Sequence, residues 1–388
     1  MIAYNSTGLD NRLIRQQTDE ALAKTCISKE EHTNLVSKYP VSFYTPNYFI
    51  RIGLFLLTIV IAVFSIGLLA LTVISGSNQA LATFLIISGI LCYSILEILV
   101  HGQKHFQSGA DDALLWLAVG LIITGINFSS TPLSMNVQRV ILLALSLYGM
   151  LRFADMLMTL VAYGALMCIV FYWVTESGET AKTFAPFLFM ALSAGLYIAG
   201  SKLHRAKACR HYRECLTLIK VLSLLCFYAA GNYFAVRETS AILSEYSGPV
   251  KNTIPFGWLF WILTIGTPLF YIYYGIRKKD QIFLWVGLVL IAAAVFTIRA
   301  YHHILPVEWA MTIGGGLLIT LAWWLTRYLK TPKQGFTSTE TNDRQFIQQL
   351  PLLESLVIAE TFQPTAPAGN DFQFGGGSGG GGGAGGQF

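Results

Sequence analysis

Long apolar runs separated by short polar connections dominate the chain from residue 51 to residue 330. About ten of them approach the ~20 residues that a helix needs to cross ~30 Å of hydrocarbon. They cover residues 52–74, 81–100, 113–128, 137–151, 156–174, 184–200, 216–236, 254–276, 282–298 and 309–325. Backbone polar groups in lipid must be bonded internally, and these runs lack the short alternation of barrel strands. The pattern therefore predicts an all-α fold, a polytopic transmembrane helical bundle of about ten spans over residues 51–330.

The two ends follow other patterns. Residues 9–24 and 29–38 read as two short helices; Ser28 with Glu31 three residues on is a capping-box spacing, and Pro40 is a stop. Residues 41–50 carry Phe43, Tyr44, Tyr48 and Phe49, which suits a segment lying in the membrane interface. Residues 1–50 thus predict a cytoplasmic helical hairpin with an interfacial segment. The plainest expectation is a solvated leader that only positions the first span; a partner-docking module is the sharper one. Residues 331–363 read as a cytoplasmic linker with a short amphipathic helix over 346–362. Residues 364–388 form a Gly-rich tail with ten glycines in the last fourteen positions. Such a tail buries too little apolar surface to offset its ordering entropy, and disorder is the expectation.

Composition sharpens this. Of 388 residues, 54% are hydrophobic and only 12% charged, against roughly a quarter charged in soluble proteins, which excludes a set of soluble domains. With ten spans, 20 of the 26 Lys and Arg residues fall on one side and 5 on the other. Basic loops stay inside, so the N-terminus and C-terminus are both expected in the cytoplasm. The run 137–151 is the weakest, with Gln138 and Arg139 in its first turn. If it did not cross, the basic clusters within 202–213 and 277–279 would face outward. All eight tryptophans fall near run ends, as interfacial anchors do.

The net charge of +5 is explained by topology, so no nucleic acid partner is implied. The lipid bilayer is the expected partner, with a protein partner at the N-terminal hairpin or the C-terminal tail; nothing sets an oligomeric state. The first forty residues lack a signal peptide's apolar core, and the first span is expected to serve as an uncleaved signal. The six cysteines fall in spans or inner segments, where reduced thiols are expected.

Candidate chemistry is sparse. Ionisable groups at membrane depth point to function. Glu97, His101 and His105 recur every four residues at the inner end of the second span, with Asp111 and Asp112 opening the third and Arg152 and Asp155 between the fourth and fifth. They could serve a metal or a proton relay, although at the interface the simplest expectation is that they stay wet. His204, Cys209, His211 and Cys215 are ligand types without a zinc-site spacing, amid cations that suit lipid headgroups better. Arg299, His302, His303 and Glu308 read as wet loop residues. Gly266 and Pro268 mark a kink in the eighth span, the kind of break that can line a transport path. No zinc-protease HExxH motif and no GxSxG nucleophile elbow is found. No catalytic residue, metal site or cofactor is predicted, and nothing recommends an enzyme. The expectation is a non-enzymatic scaffold or sensor acting through its cytoplasmic ends. The alternative is a small-solute or ion transporter with the kinked eighth span lining the path.

The order of features carries one resemblance. Ile27-Ser28-Lys29-Glu30-Glu31 and Tyr39-Pro40, then Arg51 before the first span, and Arg299 to Leu325 closing the bundle, together resemble uncharacterised multi-pass bacterial inner-membrane proteins. These are classed as a domain of unknown function with a cytoplasmic N-terminal helical region. The glycine tail resembles tails on some bacterial membrane-anchored proteins. The resemblance implies a bacterial inner membrane and no activity or catalytic residue.

Overall fold

The computed structural model describes residues 2–301, apart from 24–25, 42, 45, 74–76, 103–104, 131–132 and 246–254, together with isolated positions between 312 and 327. Among the described residues the regular elements are helical. In chain order they are α1 (Ser6–Ala23), α2 (Lys29–Lys38), α3 (Tyr48–Val73), α4 (Asn78–Gly102), α5 (Ala110–Phe128), α6 (Met135–Phe153) and α7 (Met156–Glu176). Then come α8 (Glu179–Arg205), a 3-10 turn (Lys207–Tyr212), α9 (Arg213–Gly231), α10 (Tyr233–Glu245), α11 (Gly257–Lys278) and α12 (Gln281–Tyr301). Residues 1–22 with 27–318 form one compact unit, and residues 23–26 with 319–388 a second. The tenth apolar run, the linker helix over 346–362, the glycine tail, His302, His303 and Glu308 lie wholly or largely outside the described residues.

Among the described residues, eight helices are long and apolar enough to cross a membrane: α3, α4, α5, α7, α8, α9 with its preceding turn, α11 and α12. They fit an integral membrane protein. Helix α6 is not among them, because Gln138 and Arg139 lower its hydropathy, yet at 19 residues it matches α5. The Arg139 guanidinium sits 4.5 Å over the Tyr172 ring near the end of α7, and Arg152 meets Glu97 near the end of α4. Helix α6 therefore runs antiparallel beside α7 over most of its length.

One expected run is broken. Residues 216–236 were expected as a single span, but α9 ends at Gly231 and α10 starts at Tyr233. The cause is Asn232, a better cap than helix former. Its Oδ1 accepts from the backbone N–H of Phe234 (2.9 Å) and Ala235 (3.2 Å). Its Nδ2 donates to Tyr228 Oη and Thr297 Oγ1, both at 2.9 Å, so every polar atom of a buried amide is used.

Neighbours in sequence pack as antiparallel hairpins, α4 with α5, α6 with α7, α8 with α9 and α11 with α12. Small residues permit the closest approaches, as is usual where lipid supplies no hydrophobic drive. A Cβ on Gly89 would lie 2.9 Å from Ala118 O, and one on Gly125 2.8 Å from Ala82 O. Gly275 and Gly287 do the same between α11 and α12. No disulfide joins the six cysteines.

The N-terminal segment is not a solvated leader. Ser28 and Glu31 cap α2 reciprocally, but α1 is docked: Tyr4, Leu9 and Thr18 are buried. Ala3 N–H donates to Arg152 O at 2.8 Å, and Arg210 pairs with Asp10. Leu9 of α1, with Tyr4 just before the helix, packs into the core of the bundle, which anchors a segment of polar overall composition.

Candidate functional site

The buried end of the bundle beneath the N-terminal segment is built by a tight connection between α4 and α5. Gly109 adopts φ +94°, and a Cβ there would lie 2.1 Å from Arg51 O on α3, so only glycine fits. Asp111 reaches back over this turn. Its Oδ1 accepts from Ser108 N–H (2.8 Å), Ser108 Oγ (3.1 Å) and Gly109 N–H (3.1 Å). Its Oδ2 is buried without a hydrogen-bond partner. Beside it, Arg51 donates to Asp112 Oδ2 from Nε (3.1 Å) and Nη2 (2.6 Å). Asp155 caps α7, accepting from Met158 N–H at 2.6 Å.

These three aspartates surround one small cavity of about 10 Å³, closed on the N-terminal side by Tyr4 and Gln107, which is room for about one water. The Tyr4 ring is wedged edge-on against Phe106 at 4.6 Å between centroids, with Phe43 and Phe153 around it. Arg12 on α1 donates to Gln107 Oε1 at 3.1 Å and lies 4.4 Å over the Phe106 ring. Burial pushes the Asp155 carboxyl above the usual aspartate range. It also pushes the Tyr4 phenol up, helped by Asp111 and Asp112, and lowers Arg12. A hydrogen-bonded path leads outward: His105 Nδ1 lies 2.9 Å from Ser108 Oγ, which in turn donates to Asp111.

Glu97 belongs to a separate network. Arg152 grips it as a fork, Nε to Oε1 at 3.1 Å and Nη2 to Oε2 at 3.2 Å. Tyr93 Oη donates to Glu97 at 2.6 Å and meets Tyr148 Oη at 2.7 Å. His101 Nδ1 is 3.2 Å from Glu97, with its ring largely in the open. Of the polar candidates in the sequence, Glu97, His101 and Arg152 therefore form one group, and His105, Asp111 and Asp155 another. The expectation that all would simply stay wet fails for Asp111 and Asp155, which are buried. Their desolvation is compensated by backbone and hydroxyl donors.

Among the described residues, no group of three or more His, Cys, Asp and Glu side chains is placed to hold a metal ion. Cys215 is buried with its Sγ toward Asp155 O at 3.7 Å, while His211 points to Asp10 at 3.6 Å. Helix α11 continues through Gly266 and Pro268. Gly266 lines a second, larger cavity of about 450 Å³, almost wholly apolar, between α8, α9 and α11. Sequence reading missed Tyr4, Ser108 and the pairing role of Arg51. Ser108 with Asp111 three residues on is a capping spacing that could have flagged the turn; nothing flagged Tyr4. No family model, curated protein or solved structure matches the chain.

Proposed function

We propose that this integral membrane protein is a non-enzymatic sensor that acts through its cytoplasmic ends, with the N-terminal helix as the responsive part. The carrying observation is the docking of residues 2–22 over two buried carboxylates, Asp111 and Asp155, with the partly buried Asp112 beside them. Of the charged groups, Asp111 and Asp112 from α5 and Asp155 at the start of α7 line this cavity, while Arg51 on α3 pairs with Asp112 and Arg12 on α1 bonds Gln107 at its rim. Three acids meet fewer close cations, so proton occupancy sets how well the lid sits.

The sign follows from the raised Asp155. A carboxyl held above its free value favours the docked state when protonated, and that contribution is lost as pH rises through the docked-state value. The window therefore extends upward from about 4, the ordinary aspartate value. Hydrogen exchange of residues 2–22 in nanodiscs, corrected for intrinsic rate, is expected to show stronger protection at pH 5 than at pH 8. The Asp155→Asn protein should lose much of that difference, since Asn still caps a helix but cannot take up a proton. Protection independent of pH in the native chain would end this reading.

Ten spans with both ends inside, and a bacterial inner membrane, belong to the same proposal. The basic-residue asymmetry supports the first and the layout resemblance the second. A protein partner at the released N-terminal hairpin or the glycine tail would read the signal. The second reading, a transporter whose path follows α11, draws on the cavity beside Gly266, whose apolar lining suits an uncharged solute better than an ion. Solute uptake into liposomes that is lost on Gly266→Leu would favour it.

A further inference from the structure

Lys220 is the exception among the charged residues of the second half of the bundle. It follows Arg213, the first residue of α9, by about 10 Å along the helix axis, and only 9% of it is exposed. Among the described residues it makes no ion pair and no hydrogen bond. A lysine near the end of a membrane helix ordinarily carries its ammonium out to water. Lys220 is too well covered for that.

Its direction is set by α8. A Cβ on Gly200 would lie 3.6 Å from Lys220 Cγ, so the stem crosses α8 where that helix has no side chain. Helical side chains lean toward the N-terminus of their own helix, here toward the 3-10 turn. The Lys220 charge accordingly acts on His204, one turn beyond Gly200, and Arg213 acts on the same ring. His204 Nδ1 is itself buried with no hydrogen-bond partner. Two polar groups from different helices thus converge on one place, and neither has an acceptor there.

Acid is scarce at this end. Asp280, between α11 and α12, also acts on His204, but its Oδ1 is engaged as the cap of α12, accepting from Ile282 N–H at 3.0 Å. Asp280 and Arg205 both act on Tyr197, which brings the α11–α12 turn beside the end of α8. That turn follows Arg277, Lys278 and Lys279, all exposed, as Arg205, Lys207 and Arg213 are on the other connection. A buried ammonium without a counter-ion is costly, and in this surplus of cations the compensating charge has to come from outside.

The geometry points to a site for the phosphate of an anionic phospholipid, held by the Lys220 ammonium and by His204 Nδ1 as a donor, with the exposed cations around it. Phosphatidylcholine brings the same phosphate with a cation of its own, which the surrounding Arg and Lys residues repel. A lipid suits the place better than a free phosphate does. Ile198 and Leu203 on α8, and Leu269 and Ile276 on α11, are exposed on the outer surface, which offers acyl chains an apolar face below the headgroup. The site stands apart from the sensor reading and holds whether or not anything crosses the membrane.

Native mass spectrometry of the full-length protein in a neutral detergent, with phosphatidylglycerol and phosphatidylcholine of identical chains, tests it. Phosphatidylglycerol should be retained about tenfold better, the difference expected of a charged hydrogen bond. Lys220→Met keeps the stem, should unfold at no lower temperature than the native chain, and should remove most of that preference. Lys220→Arg should keep it. Lys207→Gln, a solvated charge at the same end, should change it less than about twofold. Equal retention of the two lipids, or a preference that survives Lys220→Met, would overturn the site. Displacement of the lipid by millimolar inorganic phosphate would overturn the lipid assignment and make a free phosphate the occupant.

Discussion

The α4–α7 half and the α8–α12 half of the bundle solve the same problem in opposite ways. In the first, polar groups gather at one end and satisfy one another through Arg51–Asp112, Arg152–Glu97 and the backbone donors on Asp111. In the second, an apolar cavity sits at mid-depth, lined by Ile198, Ile262, Leu263 and Phe270. Charge at a helix end can be covered by an extra segment, here the N-terminal one, whereas polarity in the hydrocarbon layer can be met only by another span or by something dissolved in the lipid. The two halves are therefore expected to differ in their response to protons, strong in the first and weak in the second.

The largest expected effect is at the junction of α3 and α5. Gly109→Val places a Cβ against Arg51 O in a left-handed backbone, and should lower stability by about 2–5 kcal/mol from overpacking and conformational strain together. Thermal unfolding in detergent measures it; a Tm within a degree of the native protein would mean that α3 and α5 can separate freely. Next comes Asn232→Leu in the other half. It strands Thr297 and two N–H donors, and loses about 1–3 kcal/mol. A helical content that rises with unchanged stability would show that the break is incidental.

Smaller again is the coupling between Glu97 and Arg152. Both side chains are about a quarter exposed, so solvent screening holds the pair to about 1 kcal/mol. A double-mutant cycle with Glu97→Gln and Arg152→Gln reads this directly, and zero coupling would remove the polar half's claim to self-sufficiency. The smallest effect sharpens the contrast most. Ser193→Ala should change stability by at most about 1 kcal/mol, because it deletes one neutral hydroxyl without opening a cavity. A clear loss of stability would mean that Ser193 has a partner inside the protein.

Helix identity was readable from the apolar runs because membrane depth imposes a length and an internal hydrogen-bond requirement on each of them. Asn232 was not, since a lone amide in an apolar run gives no periodic signal; Tyr228 and Thr297, four and 65 positions away, take up its Nδ2 while its Oδ1 caps α10. His105, Asp111 and Asp155 could be named as polar residues near helix ends. That Asp111 and Asp155 share a cavity while Glu97 does not depends on which helices adjoin, and no local pattern encodes adjacency. Tyr4 was beyond reach for the same reason: its neighbours come from three distant stretches, at Phe43, Phe106 and Phe153.

The clasp between Asp10 and Arg210 joins residues 200 positions apart. At about 5–20 residues per second, a ribosome takes roughly 10–40 s to bridge that interval. Throughout that time α1 has been made but its partner on the 3-10 turn before α9 has not. The seat of α1 is thus completed in two stages, the Tyr4 contacts at Phe43, Phe106 and Phe153 becoming available before the clasp at Arg210 can close.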